Sequence, residues 1–247
     1  MSDVDNVTAV ESHEGIGPVH AYAWSRLLTD VEAPPEPRLT DEIISRRLAI
    51  RDLGRALRAT ADTAVVSEAS TDDVTAAIEM LTRARELLGE KQREPTETAS
   101  VDDPFRGLRM YSLGAGEGSP ILAPLQFERV GSEHVARVRL SPAFEGPPYH
   151  VHGGVSAMLM DHVLGFAVAS TVDRTGLTRR LTIEYRAPVP IEVDLIVGGV
   201  VRAEGESDIW AQGWIATEDE PSKRLVTAEG SFRVLKAAQA QGLVAGL

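Results

Sequence analysis

Residues 155–172, VSAMLMDHVLGFAVASTV, decide the fold. Twelve of these eighteen residues are Ala, Val, Leu, Met or Phe, so a helix made from them is apolar nearly all round. The stretch sits at the short limit for crossing a bilayer. It also carries Asp161 and His162 near its middle, where an unpaired charge costs about 3 kcal/mol. A buried core helix accounts for it better than a membrane span.

Strand-like runs flank that helix on both sides. Before it come 121–127 and 134–140, and in the latter Ala136, Val138 and Leu140 alternate with Arg137 and Arg139, the period of a half-buried strand. After it come four more, at roughly 177–186, 191–204, 207–217 and 223–235. The order is ββαββββ. A helix apolar on every side must be covered on every side, and a curved antiparallel sheet wrapped around it does this. The expected class is α+β, in the arrangement known as the hotdog fold, preceded by an α-helical N-terminal region.

The first hundred residues differ in kind. Residues 1–104 hold 21 acidic and 11 basic side chains, against 16 and 14 in residues 105–247. Residues 1–38, with the run Ala33-Pro34-Pro35-Glu36-Pro37, read as an arm or linker with room for a short helix around His20 to Leu28. Residues 39–93 read as a helical hairpin. Its first helix starts after Thr40 with Asp41 and Glu42 in the first turn and carries Ile43, Ile50, Leu53 and Leu57. Its second is capped by Ser70 or Thr71 and carries Val74, Ile78, Leu81 and Leu88 before Gly89. Residues 94–104, EPTETASVDDP, read as a polar linker, 105–237 as the hotdog domain, and 238–247 as a C-terminal tail.

Composition excludes several function classes. A formal charge of -12 over 247 residues argues against a nucleic-acid partner. The absence of cysteine removes disulfides, thiolate zinc sites, iron–sulfur clusters and a Cys nucleophile, and fits a reducing compartment. The start, MSDVDNVTAV, has neither the positive nor the apolar region of a secretory signal, so the expected location is cytoplasmic.

Chemistry concentrates at the start of the apolar helix. Gly153 and Gly154 let a substrate approach the backbone closely, and the unpaired N–H groups and dipole at a helix start stabilise negative charge. Asp161 is the sole charged residue between Val155 and Val172; such a carboxylate is either catalytic or held structurally by backbone groups or His162.

His152-Gly153-Gly154 with Asp161 nine residues after the His resembles the signature of acyl-CoA thioesterases in the PaaI / THEM4-like branch of the 4-hydroxybenzoyl-CoA thioesterase superfamily. Thr178 followed by Leu181-Thr182-Ile183-Glu184-Tyr185-Arg186-Ala187-Pro188 is similar to a strand of the same branch. The resemblance spans roughly 105–235 and implies hydrolysis of acyl-CoA to free acid and CoA, with neither metal nor organic cofactor. It implies an oxyanion donor at Gly153, and Asp161 as general base or nucleophile. His152 would orient the turn or bond near the thioester carbonyl, and His150 could share that task. Thr178 matches a position whose hydroxyl holds the attacking water. Strict alternation puts Thr178 on the opposite face from Leu181, Ile183 and Tyr185, so either a bulge intervenes or the role is wrong. Some members carry an Asn six residues before the His, where this chain has Gly146.

Arg179, Arg180 and Arg186 could meet the phosphates of CoA or serve as solvated edge charges. Trp210 and Trp214 fall on one strand face and read as packing residues. Ala157, Met158, Met160 and Phe166 suit either a fatty-acyl tunnel or an aryl pocket. Gly153 and Asp161 are eight residues apart, about 12 Å along a helix, so a homodimer or homotetramer with sites shared between two chains is expected, as the resemblance also implies. Two other readings stand beside hydrolysis. A hotdog hydratase lacks support because its D-x-N-P-x-H pattern is absent. A noncatalytic acyl-CoA-binding module, its helical hairpin contacting a partner protein, has no use for Asp161.

Overall fold

A computed structural model describes residues 39–172 and 176–235; the expected arm at 1–38 and tail at 238–247 lie outside the described residues. Two helices come first, α1 (Asp41–Val65) and α2 (Thr71–Gly89). Strands β1 (Phe127–Val130) and β2 (Glu133–Arg139) lead into the apolar helix α3 (Gly153–Thr171). Strands β3 (Gly176–Tyr185), β4 (Asp194–Glu204), β5 (Asp208–Thr217) and β6 (Val226–Val234) follow. All six strands form one antiparallel sheet in the order β1-β2-β4-β5-β6-β3. This is the hotdog fold, with helices N-terminal to it.

Three glycines make the hollow in which α3 lies. A Cβ on Gly199 of β4 would sit 2.9 Å from Val163 Cγ1, one on Gly213 of β5 2.9 Å from Leu164 Cδ2, and one on Gly230 of β6 3.0 Å from Leu164 Cδ1. Neighbouring strands thus omit side chains where the helix presses closest. Around that contact Leu159, Met160, Val163, Leu164, Val168, Leu195, Val197, Ile209, Ile215, Val226 and Phe232 are buried in one core. Burying a side chain of this kind is worth about 1.5–3 kcal/mol, so these positions dominate the stability of the fold.

Two expectations are corrected. The run 121–127 is not the first strand, which begins at Phe127. Pro120 and Pro124 have no N–H to give a ladder, and Leu122 and Leu125 enter the core from an irregular segment instead. Nor is α3 covered on every side. Nine of its residues are buried, but Gly154 and Asp161 are exposed and Ala157 and Met158 half-buried, leaving an open stripe at the i, i+3, i+7 spacing. By length and composition α3 could cross a membrane; here its apolar side chains fill the sheet's hollow.

Helix α1 is capped by Thr40, whose hydroxyl accepts from Ile43 N–H at 3.2 Å, and α2 by Ser70, which accepts from Asp73 N–H at 3.2 Å. Arg47, Ile50 and Gly54 are the buried residues of α1. Ile50 packs with Ala99, Val101 and Met110, and the Arg47 guanidinium donates through Nε to the Val101 carbonyl at 2.8 Å. The stretch 94–104 therefore supplies two buried side chains, Ala99 and Val101, to the contact with α1. Helix α2 has no buried residue, and Val74, Ile78, Leu81 and Leu88 are all exposed.

Candidate active site

Asp161 projects from the open side of α3 towards the first residues of β3, where the Thr178 hydroxyl donates to its Oδ1 at 2.9 Å. A bulge puts Thr178 there. Thr178 pairs with Phe232 and Arg180 with Ser231, so Arg179 is the extra residue. Thr178 consequently shares the face of the buried Phe232, as do Leu181 opposite Gly230 and Ile183 opposite Ala228. Of the two alternatives left by strict alternation, the bulge is the one realised. Asp161 and Thr178 lie on a cleft of about 280 Å³ whose apolar lining includes Leu113, Leu122, Met158, Leu177 and Phe232.

His152 is the N-cap of α3, an unusual residue for that place, and its Nδ1 accepts from Gly154 N–H at 2.9 Å. With Nδ1 accepting, the ring N–H is carried by Nε2. It also occupies the Gly154 N–H, whereas the Gly153 N–H makes no hydrogen bond among the described residues. The Gly153 carbonyl accepts from the Tyr185 hydroxyl at 2.9 Å, and the Tyr185 ring lies beside Gly153 where a Cβ would be 3.4 Å from its Cε1. The structure therefore has two separate groups on one chain: an aligned carboxylate and hydroxyl at Asp161 and Thr178, and a free backbone donor at Gly153, steadied by His152 and Tyr185. Eight residues of one continuous helix, about 12 Å, separate them.

Residues 149–210 match the thioesterase superfamily. The similarity is confined to that stretch. The stretch contains His152, Gly153, Asp161, Thr178 and Tyr185, and so the resemblance read from the His152 motif holds at the level of the superfamily. Protein RHA08564, a thioesterase superfamily protein, superposes with a TM-score of 0.63 at 26% identity, over 81% of this chain and 97% of its own. Thioesterase superfamily member 2 from Mus musculus is 14% identical over 44% of this chain and 80% of its own, TM-score 0.41. A hypothetical thioesterase protein with coenzyme A from Streptococcus pneumoniae TIGR4 is 18% identical over 44% of this chain and 87% of its own, TM-score 0.41. No curated protein matches the chain.

The remaining candidates are less engaged. His150 is half-buried and donates through Nδ1 to the Pro148 carbonyl at 2.8 Å, so it braces the loop before α3. Gly146 has no room for the Asn of some thioesterase relatives, because a Cβ there would stand 2.7 Å from the His152 Cα. Arg179 reaches Asp208, as does Arg233, whose hydrogen bond is the main cause holding the Asp208 carboxyl below its ordinary range. Arg186 pairs with Glu184 at 2.7 Å and lowers that carboxyl likewise. Arg180 is exposed and forms no ion pair among the described residues.

Met160 is fully buried in the core, and Phe166 stacks on Phe127 with ring centroids 3.9 Å apart; of the four proposed acyl contacts Met158 reaches the cleft. Trp210 and Trp214 do share the outer face of β5, where the Arg224 guanidinium lies 3.2 Å over the Trp214 ring. Among the described residues no three His, Asp or Glu side chains are grouped to hold a metal ion. Sequence reading missed three contributors. Tyr185 was seen only as part of a strand pattern, Leu122 only as part of the run 121–127 read as a strand, and Leu113 lies in a segment without periodicity.

Proposed function

We propose that this protein hydrolyses acyl-CoA thioesters to free acid and CoA, in sites each built from two chains of a homo-oligomer. The observation that carries the reading is the Thr178 to Asp161 hydrogen bond at the edge of an apolar cleft. Thr178 spends its proton on Oδ1 and keeps lone pairs for a water, which leaves the other carboxylate oxygen to take that water's proton or to attack carbon itself. Water adds to the thioester carbonyl carbon, the oxygen becomes anionic, and the C–S bond then breaks as the proton passes to the departing CoA sulfur. A backbone N–H aimed at that oxygen contributes about 3 kcal/mol, and Gly153 has one to give. The neighbouring chain supplies it, because the Gly153 and Asp161 of one helix are too far apart to meet a single carbonyl. A second copy laid on the open stripe of α3 also shields Asp161 from bulk water, and its charge acts more strongly once water is excluded.

The test is release of free CoA from a panel of aliphatic acyl-CoAs of graded length and aryl-CoAs. Turnover of at least one is expected. Tight binding of acyl-CoA with no turnover of any would replace this reading by the noncatalytic binding module.

A further inference from the structure

The cleft beside Asp161 and Thr178 is not built by the hotdog elements alone. Leu113, Gly114 and Leu122 form one side of it, facing Met158 and Asp161 of α3 and Leu177 and Phe232 of the sheet. These three residues belong to an irregular segment, 110–125, that runs between α1 and α3. The segment touches α3 closely, since a Cβ on Gly114 would be 2.8 Å from the His162 ring.

Its other side is clamped to α1. A Cβ on Gly54 would sit 2.8 Å from the Gly118 carbonyl carbon, and one on Gly118 would sit 2.4 Å from Ile50 Cγ2, so helix and segment meet at backbone distance. The Arg58 guanidinium donates to the Ser119 carbonyl. From Ser119 the connection continues to the cleft: its buried hydroxyl donates to the Leu113 carbonyl at 3.1 Å. Leu125 N–H donates to the Gly114 carbonyl at 3.0 Å. A tight loop held through its own backbone carbonyls transmits the position of α1 to Leu113.

We propose that residues 110–125, positioned by α1, are the wall that selects the acyl group, with Leu113 as the specificity-determining residue and α1 as its support. The group selected is an uncharged, carbon-rich acyl chain or ring, because the lining away from Asp161 and Thr178 is dominated by Leu, Met and Phe, against which a distal carboxylate would lose its water. This inference rests on the thioesterase reading for its substrate.

The experiment compares butyryl-CoA and decanoyl-CoA as substrates of the full-length wild type, Leu113→Ala, Leu113→Trp and Gly54→Val. The quantity read is the ratio of kcat/KM for the two, which cancels any loss of folded enzyme. Leu113 is partly exposed, so both of its variants should fold. Leu113→Ala should raise the decanoyl-to-butyryl ratio about tenfold and Leu113→Trp should lower it comparably, while Gly54→Val, which displaces the clamp, should shift it without touching the cleft. If the wild type turns over both substrates and the Leu113 variants keep its ratio within about twofold, the wall assignment falls and the thioesterase reading stands. If the wild type turns over neither, the same ratio is read from dissociation constants. A shift there keeps the wall and removes hydrolysis of these two substrates; no binding, or no shift, removes the wall.

Discussion

The Thr178 hydroxyl donates to Asp161 Oδ1 at 2.9 Å, joining the first residues of β3 to the middle of α3. The bond exists because Arg179 is extruded as a bulge, and it leaves one carboxylate oxygen of Asp161 uncommitted to Thr178. Asp161→Asn keeps the shape but can serve neither as base nor as nucleophile, so CoA release should fall below about a tenth of wild type with acyl-CoA binding and thermal midpoint little changed. Thr178→Val, which keeps the volume and removes the hydroxyl, should fall about tenfold in kcat with a smaller change in KM. An Asp161→Asn enzyme of near wild-type turnover, or one that simply unfolds, would reduce Asp161 to a structural carboxylate.

Tyr185 acts at the N-terminal end of α3. Its hydroxyl holds the Gly153 carbonyl at 2.9 Å, and its ring is more than half exposed, so little of the fold depends on it. Tyr185→Phe should therefore change stability by no more than about 1 kcal/mol while lowering kcat severalfold through a looser Gly153 N–H. Steady-state kinetics beside urea unfolding separates the two effects; equal loss in both would make Tyr185 a packing residue only.

The helix and its motif were legible because their signals are local. Twelve apolar residues in eighteen, two glycines at the helix start and one carboxylate inside it need no tertiary information to stand out. Thr178 was legible as a residue but not as a geometry, since a bulge breaks the period-two rule by which faces are assigned. The open face of α3 was misjudged for a related reason: apolarity on every side says that cover is needed, and does not say that one chain supplies all of it. The cleft wall was illegible because Leu113 and Leu122 belong to a loop, where packing follows neither helical nor strand period. The glycines at 114, 116 and 118 were the available sign of close backbone approach.

Gly146 follows the same steric logic. A side chain there must displace the backbone of His152, which caps α3 and orders the turn that presents Gly153. Installing the Asn found in some thioesterases should thus cost about 1–3 kcal/mol of stability and lower activity rather than raise it. Thermal unfolding and CoA release of Gly146→Asn check this, and a gain in turnover at unchanged stability would show that the loop accommodates the amide.

His134 sets a pH dependence of stability. Burial, with a smaller contribution from the Arg129 charge, holds its imidazole below the ordinary value of 6.5, and Phe166 packs edge-on against its ring while Thr171 Oγ1 lies 3.3 Å from Nε2. The folded protein therefore binds this proton less readily than the unfolded chain does. The stability is fully present above the unfolded value and is lost as pH falls through the lower folded value. Urea unfolding from about pH 7.5 down to about pH 5 should show a fall in stability that is shallower in His134→Gln. An identical slope in the variant would assign the acid sensitivity to other groups.

The two-chain site is tested by mixing lesions. Asp161→Ala removes the carboxylate, and Gly153→Pro removes the donor at the first helical position, where proline is tolerated. His152 already has ψ 133°, the extended setting that a residue before proline prefers, and a Cβ at Gly153 would meet the Tyr185 ring at an ordinary 3.4 Å. The variant should therefore fold and assemble, which circular dichroism and size confirm. Each variant alone should be nearly inactive. In a mixed dimer built across a twofold axis, one site collects both lesions and the other collects neither. With random pairing of equal amounts, half the dimers are mixed and half of their sites intact, so coexpression should restore about a quarter of wild-type turnover. Mixed dimers that demonstrably form and stay as inactive as either parent would place donor and carboxylate in the same chain's site, against the 12 Å, approximately, that α3 puts between them.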